Sequence, residues 1–214
     1  MSCPWKWRAK LYDICESSSL RRGPHKRVLF RHMAGRVLFV AIGTGNDIAF
    51  FPSGLDITAI DISPDMLRRA EARRNGYPGA LRLVPADALN LPFAKESFDT
   101  VATSCTLCSV PDPVRALREL HRVLRPDGEL LMFEHVRSRN SVLGLVLDLM
   151  TLWTRLAGTE MNRDTLGNAV AAGFRITRVE SVYLDVILAV HAAKPEQQCT
   201  PSKPPGKIPA ESCI

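Results

Sequence analysis

Long apolar runs are absent from this 214-residue chain. None approaches the ~20 residues that a membrane span requires; the nearest candidate, Val142 to Leu156, is interrupted by Asp148 and Arg155. The charged N-terminus lacks an uninterrupted apolar segment, which argues against a secretory leader and for a cytoplasmic protein. A second cysteine pair is also missing. Cys105 and Cys108 have C-x-x-C spacing, but a zinc site needs further ligands, and His121 and His135 do not have finger spacing. A thioredoxin-like pair would open a helix, whereas this one follows the strand pattern of Phe98 to Ser104. Cys3, Cys15, Cys105, Cys108, Cys199 and Cys213 therefore read as reduced thiols, with no metal expected. No basic stripe with interleaved aromatics appears, which excludes a nucleic-acid reader.

What is present suits one catalytic-size domain. Hydrophobic residues make up 46% of the chain, enough for a sizeable core. The net charge of +6 arises largely near the N-terminus, from Lys6, Arg8, Lys10, Arg21, Arg22, Lys26, Arg27, Arg31 and Arg36. Such a basic, tryptophan-bearing segment suits an anionic lipid surface, an acidic substrate or a solvated face.

The most informative stretch is Val37-Leu38-Phe39-Val40-Ala41-Ile42-Gly43-Thr44-Gly45-Asn46, followed by Ile57 to Asp61. It reads as a buried strand, a glycine turn and a second strand ending in a carboxylate. Gly43 and Gly45 permit close backbone approach to a nucleoside, and Asp61 can accept both ribose hydroxyls. A dinucleotide fingerprint needs G-x-G-x-x-G, but with Gly43 and Gly45 as its first two glycines Ile48 stands at the third. Asp47 also places a negative charge where a pyrophosphate would sit, so a nucleoside without phosphate fits better. A bare strand-to-helix turn is the plainer reading of the same glycines.

Short apolar runs predict strands at Val37 to Ala41, Ile57 to Asp61, Leu81 to Pro85, Asp99 to Ser104 and Glu129 to Glu134. Ser63-Pro64 and Asp112-Pro113 are helix starts, predicting helices over Asp65 to Arg74 and Val114 to Leu124. Arg125-Pro126-Asp127-Gly128 predicts a turn into the next strand. This alternation favours a mostly parallel sheet with helices on both faces and a crevice beyond the carboxyl ends of the strands. There lie the glycine turn, Asp61, Asp87 with Ala88, Ser104, and Glu134 with His135. Asp87 can accept from an adenine amine, and Ile62 and Met66 offer apolar surface to the base. Equally, Asp87 can cap a turn and Met66 can belong to the helix core.

The ordered segments VLFVAIGTG at 37–45, AIDISPDML at 59–67, ADALNLPF at 86–93, SFDTV at 97–101 and RVLRPDGELL at 122–131 resemble class I S-adenosylmethionine-dependent methyltransferases. The likeness extends to the branch containing ubiquinone and menaquinone methyltransferases. CTLCSVPDP at 105–113 and FEHVRS at 133–138 are similar to bacterial phospholipid-methyltransferase-like proteins and mammalian membrane-associated thiol methyltransferases.

The resemblance implies a Rossmann-like α/β fold with a mostly parallel seven-stranded sheet, a C-terminal antiparallel hairpin and S-adenosyl-L-methionine as cofactor. Ala41, Gly43, Thr44 and Gly45 would form the cofactor turn, Asp61 would hold the ribose, and Ile62 and Met66 would sandwich adenine. Asp87 and Ala88 would meet the adenine edge, and Ser104 the methionyl portion. Tyr12 matches a tyrosine that helps close the site from an N-terminal helix. Two departures stand out. Phe39 occupies a position where the family often has an acid, which weakens the electrostatic case for holding the cofactor's ammonium group. Ala41 replaces a glycine, and its methyl fits if φ stays negative.

These expectations divide the chain into an N-terminal helical lid at 1–34, a methyltransferase domain at 35–193 and a disordered tail at 194–214. Within the domain, Leu143 to Ala157 is an inserted amphipathic segment, with Leu145, Leu149, Leu152, Trp153 and Leu156 on overlapping faces. It suits covering an apolar acceptor, docking on a bilayer or packing in the core. Asp164 to Ala172 then predicts a helix, and the runs at Ile176 to Tyr183 and Val186 to Val190 the hairpin. The expected reaction moves a sulfonium methyl to a small apolar or amphipathic acceptor: a quinone precursor, lipid headgroup or thiol. A thiol or acidic carbon would also need a base, for which His135 is the first candidate and Glu134 the second. Contact with a membrane would be peripheral. The alternatives are a degenerate methyltransferase domain that binds a lipid surface or a protein, and a nicotinamide-dependent oxidoreductase.

Overall fold

In the computed structural model, residues 19–155, 159–160 and 162–195 are described. Tyr12, the N-terminal tryptophans, Leu156 with Ala157, and the tail from residue 196 lie outside them. Helix starts follow local chemistry. Pro64–Arg74 (α2) opens where Ser63 Oγ accepts from Met66 N–H, and Pro113–Val123 (α3) opens where the Asp112 carboxylate accepts from Arg115 N–H. Asn140 caps Ser141–Thr154 (α4), and Asp164 caps Thr165–Ala171 (α5). The first described helix is Ser19–Phe30 (α1).

Seven strands form one sheet: Arg36–Val40 (β1), Asp56–Asp61 (β2), Ala80–Pro85 (β3), Phe98–Ser104 (β4), Leu124–His135 (β5), Arg175–Tyr183 (β6) and Ile187–Ala193 (β7). Their spatial order is β3-β2-β1-β4-β5-β7-β6. The first five strands pair in parallel, and β7 runs antiparallel to both β5 and β6. This is the class I Rossmann-like arrangement, hairpin included.

The turn expected at Arg125 to Gly128 is part of β5 instead. Phe98 pairs with Leu124 and Thr100 with Glu129, so the residues between Leu124 and Glu129 bulge against a much shorter stretch of β4. A bulge accommodates Pro126, which has no N–H to give to a ladder.

The pleat divides the core in two. Leu38, Val40, Ile60, Leu130 and Met132 face α3 and α5, packing with Leu117, Leu120 and Ala169. Val37, Phe39, Ile57, Ala59, Leu131 and Phe133 face the other way, against Leu29 and Phe30 of α1 and Ala70 of α2. Both layers leave the carboxyl ends of β1, β2, β4 and β5 at one rim of the sheet.

Candidate functional site

Strand order reverses at β1, which lies between β2 and β4, and the crevice beyond this reversal is where open α/β sheets bind ligands. The glycine turn fills the start of that crevice. Ala41, Gly43 and Gly45 all have positive φ, at 56°, 57° and 85°. The condition under which the Ala41 methyl fits freely, a negative φ, is thus not met. Its methyl sits in the left-handed region, where an L-residue costs roughly 1–2 kcal/mol. Gly45 is required for a second reason: a Cβ there would lie 2.9 Å from Ile48 Cδ1 and 3.0 Å from Ala70 Cα.

After Gly45 the chain makes a five-residue 3-10 turn, Asn46–Phe50, in place of an α-helix. A single such turn has little of the aligned dipole that a pyrophosphate uses. Asp47, however, departs from the role expected of it. Its carboxylate is buried and paired at 2.6 Å with Lys26 Nζ of α1, so it does not present an uncompensated charge to the crevice.

Phe39 is fully buried, its ring centroid 5.6 Å from that of Phe30 and 4.8 Å from that of Phe51. A carboxylate at this position would be desolvated among rings, so the acid and this aromatic cluster exclude each other.

Asp61, at the end of β2, is held rigidly. Oδ2 accepts from Gly43 N–H at 2.9 Å and Oδ1 from Ser63 N–H at 2.8 Å. Burial raises its pKa, and the two backbone donors oppose that rise. A carboxylate offers about four lone-pair directions, so two donors leave capacity for a diol.

Ser104, at the end of β4, is buried, and its Oγ has no hydrogen-bond partner among the described residues. Such an atom costs about 1–3 kcal/mol unless something satisfies it. An orphaned hydroxyl beside the crevice fits the polar methionyl end of the implied cofactor.

The other sequence candidates separate. Ile62 is 60% exposed beside Asp61, whereas Met66 is buried on the inner face of α2. Asp87 is exposed, and its Oδ1 accepts from Leu89 N–H at 2.9 Å, which is the turn-capping role. Ala88 packs against the core layer facing α3. Thr44 is buried, and its carbonyl accepts from Arg73 at 2.6 Å.

Glu134 and His135 lie on opposite faces, as neighbours in a strand must. His135 shares the α1 side with Phe133. Burial, then the charges of Arg22 and Lys26, hold its imidazole down at about 4, so it is neutral at pH 7 and a weak base. By the same alternation, Asp61 and Ser104 share that side with Ala59 and Ala102.

Glu134 is fully buried on the other side, where it accepts from Thr103 Oγ1 at 2.8 Å, Thr106 N–H at 3.0 Å and Leu107 N–H at 3.2 Å. Burial pushes its carboxyl up to about 7, against those hydrogen bonds. These bonds tie it to the loop after β4, which starts at Cys105 with a φ of 50°. Cys108, in the same loop, donates its thiol to the Cys105 carbonyl, and burial pushes its pKa well up, keeping it protonated. Sequence reasoning missed Thr103 and Thr106 as partners of Glu134; the only signal was their clustering with Ser104 after an apolar strand.

Residues 38–132 match the family model described as a methyltransferase domain. The phosphatidylethanolamine N-methyltransferase of Cereibacter sphaeroides is 37% identical over 135 residues, covering 60% of this chain and 64% of that protein. The ubiquinone/menaquinone biosynthesis C-methyltransferase UbiE of Azotobacter vinelandii is 34% identical over 157 residues, 70% of this chain and 57% of that protein. The chain thus spans about two thirds or less of the curated relatives it matches.

Among solved structures, an S-adenosylmethionine-dependent methyltransferase from Mesorhizobium loti superposes with a TM-score of 0.59, at 20% identity, over 80% of this chain and 97% of that one. The [4+2]-cyclase SpnF superposes at 0.65, with 21% identity, over 82% and 81%. Fold alone therefore does not choose the reaction. Taken with the turn, the Asp61 clasp and the sheet order, the sequence matches make residues 38–132 similar to a methyltransferase domain.

Proposed function

We propose that this protein binds S-adenosyl-L-methionine and transfers its methyl group to a small apolar or amphipathic acceptor: a quinone precursor, a lipid headgroup or a thiol. The observation that carries the reading is the pairing, at the strand-order reversal, of a backbone-clasped Asp61 with the orphaned Ser104 hydroxyl. When bound, the cofactor supplies a methyl already activated by positive sulfur. The chain's own residues have to align donor and acceptor and exclude water.

In this reading Asp61 holds the ribose, Ser104 meets the methionyl end, and the turn from Ala41 to Gly45 follows the ligand's contour. Ile62 offers apolar surface to one side of the adenine. Asp87 and Ala88 lie along its edge, with Asp87 using the carboxylate oxygen that does not cap its own turn. Residues 1–34 act as a lid, with α1 its described part. His135 is a neutral hydrogen-bonding group beside the acceptor, since a base near pKa 4 takes a proton poorly from a thiol near 8.5. The acceptor class draws support from the relatives, whose names refer to a phospholipid and to quinone biosynthesis.

Calorimetry with S-adenosylmethionine, S-adenosylhomocysteine and NAD tests the cofactor. Binding of NAD alone would overturn the proposal in favour of the oxidoreductase. Mass spectrometry of extracts incubated with protein and methyl-labelled cofactor then identifies the acceptor through its labelled product. If Asp61→Ala abolished cofactor binding but left the cellular role intact, the domain would be a degenerate one serving as a binding module.

A further inference from the structure

The outward face of α4 is apolar throughout. Val142, Leu145, Val146, Leu149, Met150, Leu152 and Trp153 are all exposed, Trp153 at 78% and Leu152 at 61%. At 100° per residue they fall within one arc of about 160°, and no charged residue of the helix lies inside it. The inward face is the smaller one, made by Gly144, Leu147 and Thr151. Asp148 sits at the border, where Arg137 Nη2 donates to its carboxylate at 2.8 Å. A solvated helix has the opposite pattern, and a contiguous exposed face of this size marks an interaction surface.

We infer that α4 docks in the plane of an anionic phospholipid bilayer and turns the crevice toward it. Three features favour lipid as the occupant. At 14 residues the helix is about 21 Å long, too short to span a bilayer but suited to lying in its interface. Exposed arginines flank it at both ends, where anionic headgroups would meet them: Arg139 before the cap, and Arg155 after the last turn, whose Nε also lies 3.3 Å from a Glu160 carboxylate oxygen. Trp153, at the C-terminal end, has the amphipathic ring that prefers the headgroup level.

The position of α4 ties this surface to the site. The helix follows β5, which ends in Glu134 and His135, and Glu160 N–H beyond it donates to the Cys108 carbonyl at 2.8 Å, in the loop after β4. A docked α4 therefore brings the rim of the sheet to the membrane, where an amphipathic acceptor resides. This inference rests on the proposed acceptor class only for its purpose; the docking itself is independently measurable.

The experiment is flotation of the full chain with vesicles of phosphatidylcholine alone and of phosphatidylcholine with phosphatidylglycerol. It compares the wild type with the Leu149→Glu/Trp153→Glu variant, and cofactor affinity is measured by calorimetry in parallel. Both positions are exposed, so the variant should keep its fold and its cofactor affinity. The wild type is expected to float with the anionic vesicles and less at high salt, and the variant's partitioning to fall about tenfold or more. Equal flotation of the two proteins, or no flotation of the wild type, would overturn the inference. So would a wild-type dimer in light scattering that the variant converts to monomer, since that would assign the face to a second copy. Loss of cofactor binding by the wild type would instead count against the proposed function and leave the flotation result standing.

Discussion

Lys26 Nζ lies 2.6 Å from Asp47 Oδ1 with both side chains buried, which joins α1 to the turn that follows the glycines. The ammonium also sits 5.5 Å from the centroid of the Phe133 ring. A buried pair of this kind is costly to break because the remaining charge is left in a poorly polarisable surrounding. Lys26→Met should therefore destabilise the fold by about 3 kcal/mol, and adding Asp47→Asn should recover much of the loss. Urea unfolding of the two variants measures this; equal stability of Lys26→Met and wild type would show that the pair is energetically idle.

Ala41 carries its methyl at a φ of 56°. Glycine removes a left-handed penalty of roughly 1–2 kcal/mol and adds back up to about 1 kcal/mol of unfolded-state entropy. Ala41→Gly should thus raise stability by about 0.5 kcal/mol, read as a shift in the denaturation midpoint. A clear loss of stability would mean that the methyl makes a compensating contact.

Glu134 ionises near 4.5 when unfolded and near 7 in the fold. Between those values the native state holds a proton that the unfolded chain has lost, so this group's contribution makes stability fall as pH rises from about 4.5 to about 7. The span corresponds to roughly 3 kcal/mol. Glu134→Gln, which does not titrate, should flatten that part of the stability profile. Glu134→Ala should lower stability at every pH, because Thr106 N–H and Leu107 N–H lose their acceptor.

Ser104→Ala separates a binding role from a structural one. The hydroxyl is buried and has no partner among the described residues, so its removal should leave stability unchanged or slightly higher. Affinity for S-adenosylmethionine should fall by roughly fivefold to tenfold, the worth of one hydrogen bond. A loss of stability with unchanged affinity would contradict the assignment.

Asp61→Asn keeps the shape of the side chain but only one acceptor oxygen, where Gly43 N–H and Ser63 N–H use one each. Cofactor affinity should drop by about 10- to 100-fold in calorimetry. Affinity within twofold of wild type would remove Asp61 from the site.

Much of the scaffold was legible because its signals are local. Ser63 and Asp112 cap the helices they were expected to cap, since each side chain reaches only three residues along the chain. The glycine turn and Asp61 were legible because a left-handed turn and a strand-end acid require those residue types. Asp87 shows the limit: one carboxylate can cap a turn or meet a ligand, and spacing does not choose between them.

The sequence by itself determined the strand and helix periods, the caps at Ser63 and Asp112 and the terminal acid of β2, all of which depend on neighbours a few residues away. Tertiary structure decided the rest. Asp47 is neutralised by a lysine 21 residues earlier, and the acid position taken by Phe39 closes into an aromatic cluster with α1. Periodicity had shown that α4 carries an apolar stripe but not where the stripe points. Packing assigned Gly144, Leu147 and Thr151 to the inside and left Leu149 and Trp153 outside, because only the small face fits against the chain leaving β5, where Gly144 lies over the Ser138 carbonyl.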